Sequence, residues 1–299
     1  MKRFKAKKSK NNSIINIGLF LLLILFISNF FYSQRQNIYD YFIKNIFENY
    51  DYNIADVNFI LKYALNIDLN KNEAVIKNED DVSKIEVEKV VDDKPIIYLY
   101  NTHQEEKYYS NYINGYNVSA GVLQASKILK EYLKEYDINA IVEENSISEK
   151  LHSLNLKYGY SYKVSRMFLE DAYNKNNNLR YFIDIHRDSS KYDKTTIEIN
   201  GIKYARLLFV IGLDNPNYEL NLKMANNLRN RIEAYNKDLF RGIMKKSGKG
   251  VNGIYNQDFN SNVILIEVGG QYNSIEEVNN TLKILAKILS EYIKDDQNG

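Results

Sequence analysis

The sequence PIIYLYNTHQEEKY at residues 95–108 begins with a short apolar run and continues with polar and charged residues. Apolar runs of this length are typical of strands that are buried on both faces of a parallel sheet. After residue 95 such runs alternate with stretches of helical periodicity, an order that is typical of layered α/β domains. The sequence therefore predicts an α/β fold: an open, twisted, mostly parallel sheet with helices on both faces.

Five strands and four helices are predicted in this part of the chain. The strands are predicted at residues 96–100, 140–143, 181–185, 207–211 and 263–268. The helices are predicted at residues 120–135, 161–174, 218–235 and 274–294. Because open α/β sheets bind ligands outside the carboxyl ends of their strands, those ends are where a site is expected.

The N-terminal region predicts a membrane anchor. Residues 14–32, IINIGLFLLLILFISNFFY, contain no charge and as a helix would span roughly 28 Å, the thickness of a hydrocarbon core. The lysine-rich tail at residues 1–13 should stay in the cytoplasm, so the rest of the chain is expected outside the cell membrane. A cleaved signal peptide is the alternative, but the apolar run is long for one and lacks a small-residue cleavage site.

Residues 33–94 predict a connection between this anchor and a folded domain at 95–299. Apolar and aromatic residues recur at helical spacing in 33–70, which predicts one or two short juxtamembrane helices. Residues 71–94 are rich in charge and predict a linker with at most one short strand.

Composition excludes several kinds of function. The chain has no cysteine, so disulfides, thiolate zinc sites and thiol catalysis are ruled out, and any metal must be bound by histidine and carboxylate. Six of the basic residues lie within the first ten positions, and the rest of the chain has four more acidic than basic residues. A nucleic acid is therefore not expected as a partner.

Two of the three histidines, His103 and His186, stand at the ends of predicted strands. Two imidazoles and one carboxylate can bind zinc and leave a position for water, whose pKa then falls to about 7 while a second carboxylate takes its proton. Glu106 and Glu267 supply such carboxylates. The third histidine, His152, follows no predicted strand and lies in a loop-like stretch, so we expect it to be dispensable.

Glu267 lies inside an apolar run, where an isolated carboxylate is costly to bury. It therefore needs a metal, a cation or a catalytic role. An ion pair with Arg187 is the structural alternative, and each histidine could equally be a polar residue satisfied by a backbone group. For the glycines at 269 and 270, the alternative to a role in the site is a tight turn.

Four segments match a known family in order and spacing: NTHQEEKY at 101–108, DIHRDS at 184–189, YNQD at 255–258 and LIEVGGQYNS at 265–274. They resemble the stage II sporulation protein P family, in the wider group of zinc-dependent N-acetylmuramoyl-L-alanine amidases. The resemblance covers about residues 95–295 and implies an open α/β amidase fold with zinc at the strand ends. It also implies cleavage of peptidoglycan at the amide between the lactyl group and L-alanine, and of cross-linked stem peptides.

The resemblance implies a role for each site residue. The zinc ligands are expected to be His103, Glu106 and His186, and the general base Glu267. We further expect Arg187 and Asn273 to contact the substrate. Because Gln104 and Glu105 stand between His103 and Glu106, Glu105 is a rival for the third ligand.

The resemblance also implies partners: peptidoglycan, stage II sporulation protein D and a further membrane protein during engulfment. Two other functions are open. One is a catalytically idle peptidoglycan-binding or scaffolding module of a membrane complex, against which the presence of both histidines and both glutamates argues. The other is a non-haem iron oxygenase, which also binds its metal with two histidines and a carboxylate. The expected location outside the cell membrane, away from the pool of reduced iron, argues against this function.

Overall fold

The computed structural model describes residues 94–113 and 116–298. The predicted basic tail, the anchor at 14–32 and all but the last residue of the connection at 33–94 lie outside the described residues. Within the described residues, no helix is long and apolar enough to cross a membrane.

The described residues form ten strands and six α-helices. The strands are β1 (Ile97–Tyr100), β2 (Asn111–Ile113), β3 (Tyr116–Val118), β4 (Ala140–Val142), β5 (Tyr181–Asp188), β6 (Thr196–Ile199), β7 (Ile202–Ala205), β8 (Leu207–Gly212), β9 (Phe240–Lys246) and β10 (Val263–Gly270). The helices are α1 (Val122–Lys134), α2 (Ile147–Ser153), α3 (Ser161–Lys175), α4 (Tyr192–Thr195), α5 (Tyr218–Asn236) and α6 (Ile275–Asn298), with 3-10 turns at Tyr158–Tyr160 and Lys237–Leu239. All five predicted strands and all four predicted helices are present.

One six-stranded sheet forms the centre of the domain, in the order β4-β1-β5-β10-β8-β9. The first four strands are parallel to one another, whereas β8 is antiparallel to β10 and parallel to β9. The prediction of a mostly parallel α/β sheet is thus confirmed. The one strand of this six-stranded sheet that the sequence did not predict, β9, lies at the sheet edge, where polar residues such as Lys245 interrupt the apolar pattern.

Helices cover both faces of this sheet, because alternate side chains of each strand point to opposite sides. On one face, Leu99 and Ile266 belong to the core that α1, α5 and α6 complete. On the other face, Tyr98 and Phe182 pack with Leu169 of α3. Burial on both sides accounts for the nearly continuous apolar strands.

Successive connections of the chain lead to opposite sides of β1. The chain passes from β1 through α1 to β4, and then returns through α2 and α3 to β5 on the other side of β1. The carboxyl ends of β1 and β5 therefore open into the crevice in which α/β sheets bind ligands. These ends carry the segments 101–106 and 186–188.

The stretch around His152 is helical, which corrects the expectation of a loop. It belongs to α2, whose first turn is capped by Ser146: the Ser146 hydroxyl accepts a hydrogen bond from the Glu149 amide at 3.1 Å. His152 is exposed on this helix.

Candidate metal centre

Three of the predicted site residues meet at the carboxyl ends of β1 and β5. His103, Glu106 and His186 each bring one potential ligand atom to within 4.8 Å of the other two. Nδ1 of His103 lies 3.6 Å from Oε1 of Glu106, and Nδ1 of His186 lies 3.5 Å from Oε2. Two imidazoles that flank one carboxylate are a donor set that suits zinc. The structure thus brings the predicted ligands together, while their binding of zinc stays a prediction.

Local packing fixes the turn that carries His103 and Glu106. The Glu106 amide donates to the His103 carbonyl at 2.9 Å, and the Glu106 carbonyl accepts from the amide of Val122 at the start of α1. A side chain at Gly121 would lie 2.7 Å from that same carbonyl oxygen, so the close approach needs glycine there. The His103 ring stacks on the Tyr158 ring with centroids 5.3 Å apart.

Glu106 is ionised in this setting. Burial would raise its pKa, but hydrogen bonding to His103 and His186 and the Arg187 amide, which donates to Oε2 at 3.0 Å, outweigh burial and hold the pKa well below its usual range. A carboxylate held in this form is ready to bind a cation.

Glu105 points away from the cluster. Its side chain is exposed, and its carboxylate accepts a hydrogen bond from the Ser148 hydroxyl at 3.0 Å. Of the two rival glutamates, the structure brings only Glu106 next to the histidines.

Glu267 lies on β10 beside His186, its register partner on β5. Its Oε2 is buried without a hydrogen-bond partner. The pKa of Glu267 is raised to about 7, mainly by burial. Nearby carboxylates also raise this pKa, whereas His186 lowers it. The predicted alternative, an ion pair with Arg187, is not formed among the described residues: the Arg187 Nε donates to the Lys107 carbonyl at 3.2 Å.

The end of β10 bends directly after Glu267. Its pairing with β5 shifts register between Glu267 and Gly270, and Gly269 has a φ of 67°. A Cβ at Gly269 would lie 2.7 Å from both the Cβ of Ala205 and Oδ1 of Asn273. Glycine is therefore required at 269 for its backbone and for its close neighbours.

Asn273, which was expected to contact the substrate, lies outside the cluster. It is fully buried, and its Oδ1 accepts from the Gly270 amide at 2.8 Å. Its Nδ2 donates to Thr196 and Glu277 at 2.7 and 2.8 Å. These bonds stabilise the turn between β10 and α6, and contact between Asn273 and the substrate stays a prediction.

Sequence comparison adds evidence of common ancestry to this geometry. The model of the stage II sporulation protein P family matches residues 29–290. The chain belongs to the stage II sporulation protein P family. The family's member from Bacillus subtilis (strain 168) is 34% identical over 222 residues, which cover 72% of this chain and 55% of that protein. The chain thus spans about half the length of this curated relative.

Solved structures show only a distant similarity. N-acetylmuramoyl-L-alanine amidase AmiC2 of Nostoc punctiforme has a TM-score of 0.37 and 14% identity, over 67% of this chain and 97% of that one. The CwlD amidase from Clostridioides difficile, solved in complex with the GerS lipoprotein, has a TM-score of 0.41 and 12% identity, over 66% of this chain and 98% of that one.

Sequence reasoning missed a buried carboxylate that contacts the cluster. Asp184 is fully buried on β5, and its Oδ1 lies 3.0 Å from Nε2 of His186. The signal was present, because Asp184 interrupts the apolar run YFIDI as Glu267 interrupts VILIEV. A buried carboxylate in a strand requires a polar or charged partner, and that partner is the predicted metal ligand.

Proposed function

We propose that this chain is a membrane-anchored hydrolase that cleaves peptidoglycan at the N-acetylmuramoyl-L-alanine amide, with zinc bound by His103, Glu106 and His186. The observation that carries the proposal is the convergence of these three side chains beside a fourth, the half-buried Glu267, whose Oε2 atom is buried. Family membership supports the cell wall as the substrate. The second bond that the proposed enzyme cleaves lies in the cross-linked stem peptides. Its proposed partner is a membrane protein similar to stage II sporulation protein D.

The cluster fits zinc in its donor chemistry. It offers two imidazole nitrogens and a carboxylate held in the ionised form, and three protein ligands are the usual number in catalytic zinc sites. When bound, zinc supplies an activated water with a pKa of about 7 and polarises the substrate carbonyl. The side chains His103, Glu106 and His186 would hold it, and His186 is further supported by Asp184 from behind.

Glu267 acts as the proton carrier. A general base works best when its pKa lies near the working pH, and burial gives Glu267 a pKa of about 7. It accepts the proton of the attacking water as the oxygen bonds to the lactyl carbonyl carbon. It then donates the proton to the departing nitrogen of L-alanine as the C–N bond breaks, which yields a free carboxylate and a free amine.

Arg187 contributes positive charge next to this reaction centre. Its amide binds Glu106 and its Nε binds the Lys107 carbonyl, so the side chain is oriented by two contacts. A guanidinium held in this way can bind a carboxylate of the stem peptide with its remaining N–H groups.

Digestion of purified peptidoglycan tests the proposal. Residues 34–299 would be incubated with peptidoglycan, without and with a chelator and after zinc is added back, and the released ends identified by mass. We expect new L-alanine amino termini that disappear with the chelator and return with zinc. Binding to peptidoglycan without release of new ends would instead indicate the idle module, and recovery of activity by ferrous iron alone would favour the oxygenase-type metal.

A further inference from the structure

A chain of buried hydrogen bonds begins at Asp184, which contacts the His186 imidazole from behind. Asp184 lies two residues before His186 on the same face of β5, with Oδ1 3.0 Å from Nε2 of the imidazole. Thr102 binds both oxygens of this carboxylate: its amide donates to Oδ1 at 2.9 Å and its hydroxyl donates to Oδ2 at 2.6 Å. Thr102 directly precedes His103, so one residue is linked to both histidines of the cluster.

The chain continues away from the metal centre through α3. Ser165 Oγ lies 2.8 Å from Thr102 Oγ1 and 3.2 Å from the Tyr162 carbonyl. Because the Thr102 proton is used for Asp184 at 2.6 Å, the Ser165 hydroxyl donates to the nearer oxygen, that of Thr102. Nδ2 of Asn256 donates to Ser165 Oγ at 2.9 Å. Thr102 and Asp184 are fully buried, Ser165 is 2% exposed and Asn256 is 7% exposed. Water therefore does not compete for these bonds, and each keeps its full strength.

The segment YNQD at 255–258, which belongs to no step of the proposed reaction, anchors the far end of this chain. Tyr255 and Asn256 have φ values of 56° and 57°, a left-handed conformation that few residues other than glycine adopt without support from their surroundings. Side-chain contacts hold the segment in this shape: Gln257 bonds to two main-chain groups of β8 at 2.8 and 2.9 Å, and Asp258 pairs with Arg166 at 2.8 Å. The Asn256 amide is thus fixed in direction.

We infer that Asp184, Thr102, Ser165 and Asn256 form a positioning network that presents Nδ1 of His186 to the metal. Oδ1 of Asp184 lies 3.0 Å from Nε2, so this carboxylate contacts one ring nitrogen of His186 while the other, Nδ1, faces Glu106 at 3.5 Å. Thr102, Ser165 and Asn256 hold Asp184 in the orientation that this requires. The inference rests on the proposed zinc centre and assigns a function to the YNQD segment.

Outer-shell partners of metal ligands are typically worth about 10- to 100-fold in metal affinity. Thr102→Val removes the hydroxyl at almost constant shape, and Thr102→Ser restores it. Asn256→Gly removes the amide and accepts the left-handed backbone without steric strain, so it separates the hydrogen bond from the strain. The three variants of the full chain would be compared with the wild type.

Metal affinity and the spectrum of the bound metal show whether these residues position the ligand His186 or only stabilise the fold. Zinc affinity would be measured by competition with a chromophoric chelator, the ligand field by the visible absorption of the cobalt-loaded protein, and metal-free stability by urea unfolding. We expect Thr102→Val and Asn256→Gly to weaken zinc binding by about 10- to 100-fold and to change the cobalt spectrum, and Thr102→Ser to resemble the wild type.

Three other outcomes would contradict the inference in distinguishable ways. A wild type that binds neither metal removes the zinc centre and the network together. A wild type that binds zinc while Thr102→Val and Asn256→Gly bind it equally well, with unchanged cobalt spectra, leaves the zinc centre intact and overturns the network. If both variants bind zinc as the wild type does, with unchanged cobalt spectra, but unfold with a lower free energy, the four residues have a structural role only.

Discussion

Glu267 and His186 are register partners on the adjacent parallel strands β10 and β5, so their side chains leave the sheet side by side on one face. Neighbouring strands lie about 4.8 Å apart, a distance that backbone hydrogen bonds keep constant. The proposed base and one proposed ligand are thus held relative to each other by the most rigid part of the fold. The remaining ligands, His103 and Glu106, come from the turn after β1.

His103→Ala and His186→Ala should each remove bound zinc while the domain stays folded. Each side chain is one of only three proposed protein ligands, whereas the core of the sheet lies elsewhere. Elemental analysis of the purified variants measures the zinc content, and circular dichroism reports the fold. His152→Ala, an exposed change on α2, is the control and should keep its zinc. A variant with unchanged zinc content would remove that histidine from the site.

Glu106→Ala should lose zinc affinity and Glu105→Ala should not. Glu106 lies between the two imidazoles, while Glu105 is exposed and bonded to Ser148. The two substitutions remove the same charge one residue apart, so general electrostatics affects both alike and only direct ligation separates them. Titration with a chromophoric chelator gives both affinities. If Glu105→Ala alone empties the site, the assignment is wrong by one residue.

Zinc binding near neutral pH should release about one proton. Burial lowers the pKa of His186, but the carboxylates of Asp184 and Glu106 outweigh burial and hold this pKa well above its ordinary value. The imidazole therefore carries two protons before the metal arrives and must lose one, whereas Glu106 is already ionised.

The proton that His186 loses determines how zinc affinity changes with pH. Below the pKa of His186, zinc affinity should rise about tenfold per pH unit, because each binding event competes with one proton. Calorimetry in two buffers of different ionisation enthalpy counts the proton directly. Equal binding enthalpies in both buffers would show that His186 is neutral in the metal-free protein.

Gly269→Ala should destabilise the domain more than Gly201→Ala. Both glycines have positive φ, 67° and 81°, so each substitution costs about 1 kcal/mol in backbone strain. At Gly269 the new methyl group also meets Ala205 and Asn273 at 2.7 Å, whereas nothing lies within 4 Å at Gly201. Overpacking of this kind adds about 1 to 3 kcal/mol. Urea unfolding of both variants measures the difference, and equal losses would contradict the packing at the end of β10.

Much of this fold was predictable because burial on both faces leaves an uninterrupted apolar run in each central strand. β9 escaped prediction because it is an edge strand whose sequence, FRGIMKK, has no such run. The reversed direction of β8 relative to β10 also carries no local signal, since strand direction is set by where the connection crosses the sheet.

The site residues that could be predicted are polar residues that interrupt an apolar strand or follow one directly. His103, Glu106, His186 and Glu267 all do so, and the fold brings them to one place. The bonds from Asn256 to Asp184 could not be foreseen, because they join four segments that are distant in sequence. Asn273 shows the converse: a polar residue near the site in sequence whose hydrogen bonds are all internal.

The most direct test of the central claim is the rate of peptidoglycan cleavage by zinc-loaded Glu267→Gln, measured together with its zinc content. Glutamine has nearly the shape of glutamate but cannot accept a proton, and general-base assistance is worth about 10²- to 10⁴-fold in rate. We predict a variant that keeps its zinc and binds peptidoglycan but releases new ends at least about 100-fold more slowly. Cleavage at a rate near that of the wild type would contradict the account.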